Sequence, residues 1–469
     1  MEKKLLLVNP HWREETYLSR KIKIAAISHP PLSLAIIASY GLKAGYDVKV
    51  LDLDLYDDPW KELKKTVKDF NPSIVGVTCL TPFFNKVVKI SLIVKKFSKA
   101  KVIVGGPHAT ALPNNLLNNK SIDVVVVGEG EPAFESLFKN DFQNLESVKN
   151  IAFKKGELII RNPSSKEVYN PNLIPYPSWH LFELEKYVNS YILSRKNPVG
   201  PIETSRGCPY SCIYCNKTIF GTRVRYKSVL RVVDEMRFYL SSGFKELHIQ
   251  DDLFSFDLKR AKNICDTIIS EKLVFPWVLL NGIRVDSVDE ELFVKLKKSG
   301  CYMVSFGIES GSQKVLDSIP KKIKLKDVET AVNLAKKSGL MTFGFFLFGL
   351  PAETRETMQQ TIDFSKKLNL DIAKFAIVTP FPGTKLFDYL DSSGLINTYD
   401  WSKYFQHSPT SKVFKHPNVS WDDVNYFYNN AYKTYYLRSG YVFRRFILSL
   451  KNRTLIRDVL SFIKINLSF

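Results

Sequence analysis

Short apolar runs alternate with amphipathic helical stretches along most of this chain. In its first part the predicted strands are residues 5–8, 48–53, 74–77, 102–104 and 124–127, and the predicted helices are residues 34–43, 60–69 and 86–97. Strands that are apolar throughout are typical of a parallel sheet covered by helices on both faces. The pattern therefore predicts a doubly wound α/β domain over residues 1–140, with ligands at the carboxyl ends of its strands.

The same alternation returns in the second half of the chain. The predicted strands are residues 200–204, 246–250, 278–281, 303–308, 342–348 and 372–378, and the predicted helices are residues 229–241, 258–271, 289–299, 325–338 and 355–368. The units are evenly spaced, and polar motifs follow successive strands. Both features favour a partial β/α barrel over residues 196–395, whose active residues would gather at the carboxyl ends of the strands.

Two segments interrupt this rhythm. Residues 141–195 contain a possible hairpin (151–153 with 158–160) and a proline-rich passage after Asn170, which suits an extended linker. Residues 396–469 are predicted to be helical, rich in aromatic residues, and basic after Arg438, where seven Arg or Lys face one acid. This tail either lies on an anionic membrane surface or packs on the barrel as a helical cap.

Composition limits the classes of protein that fit. The chain has 469 residues, 45% of them hydrophobic, and a net charge of +20, which indicates two or three globular domains and either an acidic partner or a lysine-rich surface. Nucleic acid is not expected, because no RNA-binding module is recognisable. Half of the six cysteines fall in one motif, so we expect a reduced protein of the cytoplasm rather than a disulfide framework. No apolar run is long enough to predict a transmembrane helix.

The motif with the clearest chemistry is a loop that holds Cys208, Cys212 and Cys215. Three thiolates at this spacing suit an iron–sulfur cluster or zinc, and both normally require a fourth ligand. The next candidates along the chain, His248 and Cys265, are far away in sequence. A [4Fe–4S] cluster held by three cysteines would keep one iron open for another ligand. Three merely buried cysteines are disfavoured, because a polar Gly/Pro loop offers little apolar burial.

With Tyr214 directly before the last cysteine, this motif resembles the signature of the radical S-adenosylmethionine (SAM) superfamily. The resemblance implies a partial (β/α)6 barrel and a cluster whose open iron binds the amino and carboxylate groups of SAM. It also implies acidic and polar SAM-binding groups at the strand ends. Asp251 or Asp252 would accept hydrogen bonds from the ammonium, Arg284 would pair with the SAM carboxylate or with a substrate acid, and Glu309 would hold the ribose. The residues expected at the SAM site are Tyr214, Asp251, Asp252, Arg284, Glu309, Ser310, Gly349 and Pro382.

The strand-end loops of the first domain resemble those of the cobalamin (B12)-binding domain that precedes the barrel in one large subfamily. The residues expected to contact cobalamin are Thr78, Gly105, Gly106, His108, Gly128 and Glu129. The Asp-x-His-x-x-Gly motif that supplies a cobalt ligand in many such domains is absent from the sequence. His29 and His108 lie in loops without that context, and members of this subfamily often lack the motif.

The resemblance implies a reaction class. The cluster would cleave SAM to a 5′-deoxyadenosyl radical that modifies an unactivated carbon, by cobalamin-dependent methylation or by oxidative cyclisation or coupling of a lipid or tetrapyrrole. The chain is similar to anaerobic Mg-protoporphyrin monomethyl ester cyclases and to hopanoid- and lipid-modifying enzymes. We expect a small-molecule or lipid substrate, a flavodoxin- or ferredoxin-type reductant, and peripheral membrane contact through the tail. A non-catalytic iron–sulfur protein is less favoured. A methylthiotransferase is disfavoured because only Cys79 lies in the first domain.

Overall fold

The first sheet has seven strands in the order β2-β1-β3-β4-β5-β6-β7. In this computed structural model, residues 3–11, 28–165, 169–405 and 413–451 are described. The strands are β1 (Lys4–Asn9), β2 (Asp47–Asp52), β3 (Ile74–Thr78), β4 (Lys101–Gly105), β5 (Val124–Val126), β6 (Ile151–Lys155) and β7 (Leu158–Arg161). The helices are α1 (Leu32–Lys43), α2 (Pro59–Phe70), α3 (Phe84–Phe97), α4 (Pro107–Ala111), α5 (Pro113–Leu117) and α6 (Gly130–Lys139). Strands β1 to β5 are parallel, which confirms the doubly wound α/β prediction.

The hairpin of β6 and β7 extends the first sheet beyond the predicted end of the first domain. β6 pairs antiparallel with β5, and β7 pairs antiparallel with β6. This hairpin was assigned to the linker, yet it continues the first sheet as an antiparallel edge. The sheet therefore extends to Arg161 rather than ending near residue 140.

The second sheet has six parallel strands in the order β15-β14-β13-β12-β11-β8. They are β8 (Val199–Ile202), β11 (Glu246–Ile249), β12 (Trp277–Ile283), β13 (Cys301–Glu309), β14 (Met341–Phe348) and β15 (Ile372–Ile377), with a short pair β9 (Ser205–Arg206) and β10 (Arg225–Tyr226) after β8. The intervening helices are α7 (Val229–Ser241), α8 (Leu258–Ser270), α9 (Glu290–Lys298), α10 (Gln313–Ser318), α11 (Leu325–Lys337) and α12 (Arg355–Leu368). Strand and helix bounds match the sequence predictions within a few residues.

Helix starts follow from local side chains. Asp257 accepts a hydrogen bond from the backbone N–H of Arg260 at the start of α8, and Asp289 does the same for Leu292 at the start of α9. Both carboxylates satisfy N–H groups that have no partner in the first helical turn. Cys265 and Cys301 are almost fully buried in the hydrophobic core beneath these helices, as predicted.

The end strands β8 and β15 lie on opposite sides of an open gap in the barrel. The C-terminal helices are α13 (Lys385–Ser392), α14 (Trp421–Tyr436) and α15 (Ser439–Lys451). Tyrosines of α14 cover the free edge of β15: the Tyr432 hydroxyl donates to the Phe375 carbonyl, and the Tyr436 hydroxyl donates to the Ala373 carbonyl. Hydrogen bonds of this kind satisfy an edge strand that would otherwise expose its backbone. The aromatic segment therefore packs as a helical cap.

The far end of the basic tail, residues 452–469, lies outside the described residues, so the prediction for that stretch has no structural counterpart. Along the described part of the chain, no helix combines the length and the apolar character needed to cross a bilayer.

Candidate active site

The cysteine loop begins where β8 ends and is held from below by Asp251. One Asp251 oxygen accepts the backbone N–H of Thr204 at 2.5 Å, and the other accepts the hydroxyls of Thr204 and Ser205 at 2.5 and 2.6 Å. The side chain is buried. This corrects the prediction that Asp251 binds the SAM ammonium, because the loop itself occupies the carboxylate.

Gly207 sets the turn into Cys208. Its φ is +91°, and a Cβ at this position would collide with the Arg223 carbonyl oxygen. Its N–H donates to one oxygen of Asp252 at 2.9 Å. The second oxygen of that exposed side chain receives no hydrogen bond from the described residues. Asp252 is thus the strand-end carboxylate that still has acceptor capacity, and its SAM-binding role remains a prediction.

The thiols of the loop are suited to a cluster rather than to a single ion. A hydrogen bond between the Cys212 and Cys215 thiols lowers the pKa of Cys212 and raises that of Cys215, and burial raises the pKa of Cys208, so Cys212 is the thiol of the loop that deprotonates most readily. Thiolates are the form that binds iron. Among the described residues, no three His, Cys, Asp or Glu side chains converge on one ion site. Each cysteine of a cubane binds its own iron, so the three sulfurs need not meet at a point, and the donor set fits a [4Fe–4S] cluster.

Glu309 ends β13 beside this loop and is held by a lysine that sequence analysis missed. The Lys321 ammonium donates to the Glu309 carboxylate at 2.5 Å and to the Tyr214 hydroxyl at 3.4 Å. Glu309 has a φ of +68°, an unusual backbone conformation that is tolerated where the surroundings enforce it and that clusters at functional sites. Burial, reinforced by Glu309, raises the pKa of Tyr214, so its hydroxyl stays protonated. No local motif marks Lys321, because it meets Glu309 only through the fold.

Arg284 supports the loop rather than presenting a free charge. Its Nε and one terminal nitrogen donate to Asp286 at 2.9 and 2.7 Å, and the guanidinium also donates to the carbonyls of Lys321 and Lys322. The guanidinium carbon Cζ of Arg284 lies 3.4 Å from the centre of the Tyr210 ring in the cysteine loop. The prediction that Arg284 pairs with the SAM carboxylate is therefore corrected: its donors are largely occupied by the protein.

Two more predicted SAM contacts are enclosed by the fold. The Ser310 hydroxyl is fully buried and forms a hydrogen bond with Thr361 of α12. Gly349 faces the Trp421 ring of α14, whose atoms would lie 3.5 Å from a Cβ. These two predictions are corrected, because both groups are covered by protein. The Pro382 carbonyl accepts a hydrogen bond from Asn216 at 3.0 Å, which joins the last strand-end loop to the cysteine loop.

The strand ends of the first sheet leave room for a ligand. Around Gly128, with φ +85°, no heavy atom lies within 4 Å of a Cβ position, and around Gly105 only Val126 does. Gly106, with φ +106°, is more enclosed: its Cβ position lies 2.9 Å from the Cys79 carbonyl oxygen and 3.2 Å from the Thr78 hydroxyl, so no side chain fits there. Bare backbone of this kind allows a bulky ligand to approach closely. The cradle fits cobalamin, and the contacts predicted for Thr78, Gly105, Gly106 and Gly128 remain predictions.

His108 does not belong to that cradle. Its side chain is fully buried, and its ring packs against Phe84 and Trp401 with ring centres 5.2 and 5.3 Å apart. Burial lowers its pKa to about 4. The prediction of a cobalamin contact is corrected, because Trp401 closes the space in front of the ring.

Arg206, two residues before Cys208, joins the two domains. Its Nε donates to Glu203 at 2.5 Å, and its terminal nitrogens donate to Glu129 at 2.8 Å and Glu131 at 2.6 Å. Arg225 binds the other oxygen of Glu129 at 2.7 Å. Arg206 is 3% exposed. The predicted cobalamin role of Glu129 is corrected, because one of its oxygens binds Arg206 and the other binds Arg225 of β10.

A second link between the domains is a chain of hydrogen bonds inside the barrel. His29, from the first domain, approaches Nδ1 of His248 with its Nε2 at 3.0 Å, and His248 Nε2 lies 3.0 Å from Glu246. The Tyr302 hydroxyl donates to the same Glu246 oxygen at 2.5 Å. Burial, followed by the neighbouring His248, lowers the pKa of His29. His29 thus places a neutral imidazole against His248 of β11.

Comparison with known proteins agrees with this geometry. The model of the B12 binding domain matches residues 24–138, and the model of the radical SAM superfamily matches residues 202–365. An uncharacterized methyltransferase of Pyrococcus horikoshii is 35% identical over 93% of this chain and 93% of its own length. The cytidylyl-2-hydroxyethylphosphonate methyltransferase of Streptomyces wedmorensis is 30% identical over 78% of this chain and 79% of its own length.

Among solved structures, the radical SAM methyltransferase TsrM of Kitasatospora setae, with cobalamin and a [4Fe–4S] cluster bound, aligns with a TM-score of 0.69. The alignment has 22% identity and covers 84% of this chain and 75% of that chain. At this identity the match demonstrates a common fold. The family models and the two relatives establish an enzyme whose cofactors are a [4Fe–4S] cluster, SAM and cobalamin. This chain belongs to the radical SAM superfamily, in the branch that carries a B12-binding domain ahead of the barrel.

Proposed function

We propose that this enzyme methylates an unactivated carbon of a small molecule in a cobalamin-dependent radical reaction. One observation carries the proposal: Arg206 connects the cysteine loop directly to Glu129 and Glu131, at a strand end of the B12-binding domain. The carboxyl ends of both sheets therefore face one another. A methyl donor and a hydrogen-abstracting radical must both reach one substrate, which this arrangement favours.

The proposed division of labour follows from the described side chains. The bound cofactors supply the chemistry: SAM, reduced by the cluster, yields the 5′-deoxyadenosyl radical, and cobalamin delivers the methyl group. Asp252 would accept hydrogen bonds from the SAM ammonium. Glu309, held by Lys321, would accept from the ribose hydroxyls. The buried ion cluster around Arg206 keeps water away from the interface where the radical forms.

The alternative is oxidative cyclisation or coupling without methyl transfer. The resemblance of the sequence to Mg-protoporphyrin monomethyl ester cyclases supports cyclisation, and the same site suits both methyl transfer and cyclisation. The relative named as a phosphonate methyltransferase favours methylation. For domain organisation we propose a B12-binding unit ending near residue 161, a linker to about residue 195, and the barrel from residue 196 to about 395.

Two further aspects of the setting are proposals. The described cysteines are free thiols, which suits a reducing, anaerobic cytoplasm and a flavodoxin- or ferredoxin-type electron donor.

Helix α15 exposes Phe443, Phe446, Ile447 and Leu450, next to Arg444 and Arg445. Exposed apolar side chains beside basic ones favour peripheral contact with an anionic membrane.

The test is anaerobic reconstitution with iron, sulfide and hydroxocobalamin, followed by product analysis with SAM and a strong reductant. We expect 5′-deoxyadenosine together with S-adenosylhomocysteine, and a cobalamin absorbance spectrum that stays with the protein. The variant C212A should lose the cluster and both products, while the buried C265A variant keeps them. If 5′-deoxyadenosine forms without S-adenosylhomocysteine, the cyclisation alternative replaces methylation. If neither product forms with an intact cluster, the proposed function is wrong.

A further inference from the structure

The interior of the barrel is arranged in layers that the strand register defines. Phe345 of β14 is paired in register with Lys374 of β15 and with Gly307 of β13, so the three lie at one level. The level below contains Ser305, Phe343 and Ile372. Residues in register on neighbouring parallel strands point to the same face of a sheet. These two levels therefore form part of the wall of the lumen.

Lys374 points into this lumen. Ile372, two residues earlier, packs in the cluster that fills the barrel interior, whereas Ala373 and Phe375 pack in the core beneath the outer helices. Side chains alternate along a strand, which places Lys374 on the side of Ile372. Its side chain is intermediate in exposure, so it remains accessible above the apolar cluster that contains Ile372 and Phe343.

The Lys374 ammonium lacks a counter-charge in the described part of the chain. No hydrogen bond or ion pair to it is found there, and burial alone lowers its pKa to about 8, without a contribution from any neighbouring charge. Most lysines with restricted access are paired, because an unpaired buried ammonium is costly. An ammonium at this depth without a partner is therefore unusual.

The acids of the barrel interior cannot supply the missing charge. Glu309 is bound by Lys321, and Glu246 accepts hydrogen bonds from His248, the Tyr302 hydroxyl and the backbone N–H groups of Arg195 and Lys196. At the end of β11, Asp251 is held by the Thr204–Ser205 segment, and the exposed Asp252 accepts the N–H of Gly207 with one oxygen; neither contributes a charge interaction to Lys374. On the opposite wall, His29 and His248 are imidazoles that bring no negative charge.

We propose that Lys374 binds an anionic group, a carboxylate or a phospho group, of the small-molecule substrate inside the barrel. This inference rests on the proposed function, because it assumes that the lumen beneath the cysteine loop receives the substrate. Phe345 and Phe343 give the substrate an apolar wall beside and below the ammonium. The substrate is then anchored by its charge at β15, with its carbon skeleton across the lumen toward the cysteine loop.

The experiment is competitive labelling of the lysines with trace acetic anhydride. The protein carries its cluster and cobalamin, and acetylated peptides are quantified by mass spectrometry. The uncharged amine attacks the anhydride, acetate leaves and a proton is released, so the rate reports the fraction of unprotonated amine. Lys374 should react with a midpoint near pH 8, and the exposed Lys337 serves as the internal control for reagent concentration.

Added inorganic phosphate, methylphosphonate or acetate should then protect Lys374 and leave Lys337 unchanged. A bound anion favours the ammonium, and a rise of one pKa unit reduces the reactive fraction about tenfold at neutral pH. Protection by phosphate and methylphosphonate alone identifies a phospho group, and protection by acetate alone identifies a carboxylate.

Three results would overturn the proposal. The first is equal reactivity of Lys374 with and without the anions. The second is a Lys374 that already fails to react before any anion is added. The third is protection by SAM alone, which would assign the ammonium to the cofactor. Measurement of 5′-deoxyadenosine on the same preparation separates the two claims. Loss of SAM cleavage would refute the proposed function, whereas anion protection of Lys374 would still stand.

Discussion

At the scale of single residues, Glu353 shows how a buried acid fixes a strand end. One of its oxygens accepts the N–H groups of Gly349 at 2.5 Å and Leu350 at 3.0 Å, where β14 leaves the barrel. The side chain is fully buried, and burial raises its pKa to about 8 despite these two hydrogen bonds. The carboxyl is therefore protonated in the folded protein at neutral pH.

This raised pKa predicts a fall in stability as the pH increases. Between about pH 4.5 and 8 the unfolded chain loses the Glu353 proton while the folded chain keeps it, so the free energy of unfolding drops by about 1.4 kcal/mol per pH unit from this group. Below that window both states are protonated and the group causes no pH dependence. The variant E353Q should flatten the decline, measured as the melting temperature from pH 5 to pH 8.

The matched control is E356Q, which removes an exposed carboxylate three residues later, in the first turn of α12. Its melting profile should follow that of the wild type across the whole range. Parallel pH profiles for the wild type and E353Q would contradict the raised pKa.

At the scale of elements, the cysteine loop depends on Gly207. The φ of +91° and the proximity of the Arg223 carbonyl leave no space for a side chain at this turn. Gly221, in the same loop, has φ +70° but no heavy atom within 4 Å of its Cβ position. The two glycines therefore share a backbone conformation and differ in the space around them.

The variants G207A and G221A separate these two effects. Backbone strain alone should cost G221A about 1 kcal/mol and leave the cluster in place. In G207A the added clash must move the turn, so we expect loss of most of the iron bound per chain and of the iron–sulfur absorbance. Equal iron content in the two variants would show that the turn tolerates a side chain.

Helix α15 is the element on which the membrane proposal depends. Phe443 is 67% exposed and Phe446 is 46% exposed, on a helix tied to the barrel by Arg444 donating to the Leu370 carbonyl. We expect the chain to co-sediment with phosphatidylglycerol vesicles and not with phosphatidylcholine vesicles. The double variant F443S/F446S should bind about a hundredfold more weakly or worse, because each buried phenylalanine contributes roughly 1.5–3 kcal/mol.

The control for that experiment is L158S, which removes a side chain 73% exposed on the hairpin of the first sheet. It should leave vesicle binding unchanged. If F443S/F446S binds vesicles as tightly as the wild type, the membrane contact lies elsewhere on the chain. If the wild type does not bind, the membrane proposal is wrong.

At the scale of the whole molecule, Arg206 sets how the two domains meet. Three carboxylates converge on its guanidinium, two of them from the B12-binding domain. Burial alone would lower the pKa of Arg206, but Glu131 more than offsets this effect together with Glu203. Arg206 in turn lowers the pKa of Glu131. Loss of the cation would leave these acids facing one another in a buried interface.

The variant R206Q should therefore destabilise the protein by about 3–5 kcal/mol, as removal of one partner from a buried ion cluster does. We expect the single thermal transition to fall by several degrees or to split into two, measured by calorimetry. R206K should be intermediate, because lysine keeps the charge but not the fork of donors. R206Q combined with E131Q should recover part of the loss.

The control is R237Q, at an exposed ion pair with Asp234 at 2.7 Å. Such surface pairs contribute at most about 1 kcal/mol, so its transition should barely move. If R206Q behaved like R237Q, the ion cluster would not hold the domains together.

Much of the fold could be predicted because its signals are local. Apolar strands, helix caps such as Asp257 and Asp289, and the three cysteines are all read within a few residues. The prediction of site residues failed where the side chains of two adjacent residues point to different sides of a strand end. Asp251 and Asp252 look equivalent in sequence, yet one is buried under the loop and the other is exposed, because side chains alternate at the strand end.

The reaction family can be inferred from the amino-acid sequence, because three cysteines within eight positions form the ligand set of a cluster. Both sheets can be inferred as well, because burial on two faces requires continuous apolar strands. The charge pairings, in contrast, are visible only in the folded chain. Arg206 and Glu129 are 77 residues apart yet form an ion pair, whereas Lys374 meets no counter-charge among the described residues. Such pairings depend on the direction and depth of side chains after the sheets have closed, which no short segment of the chain specifies.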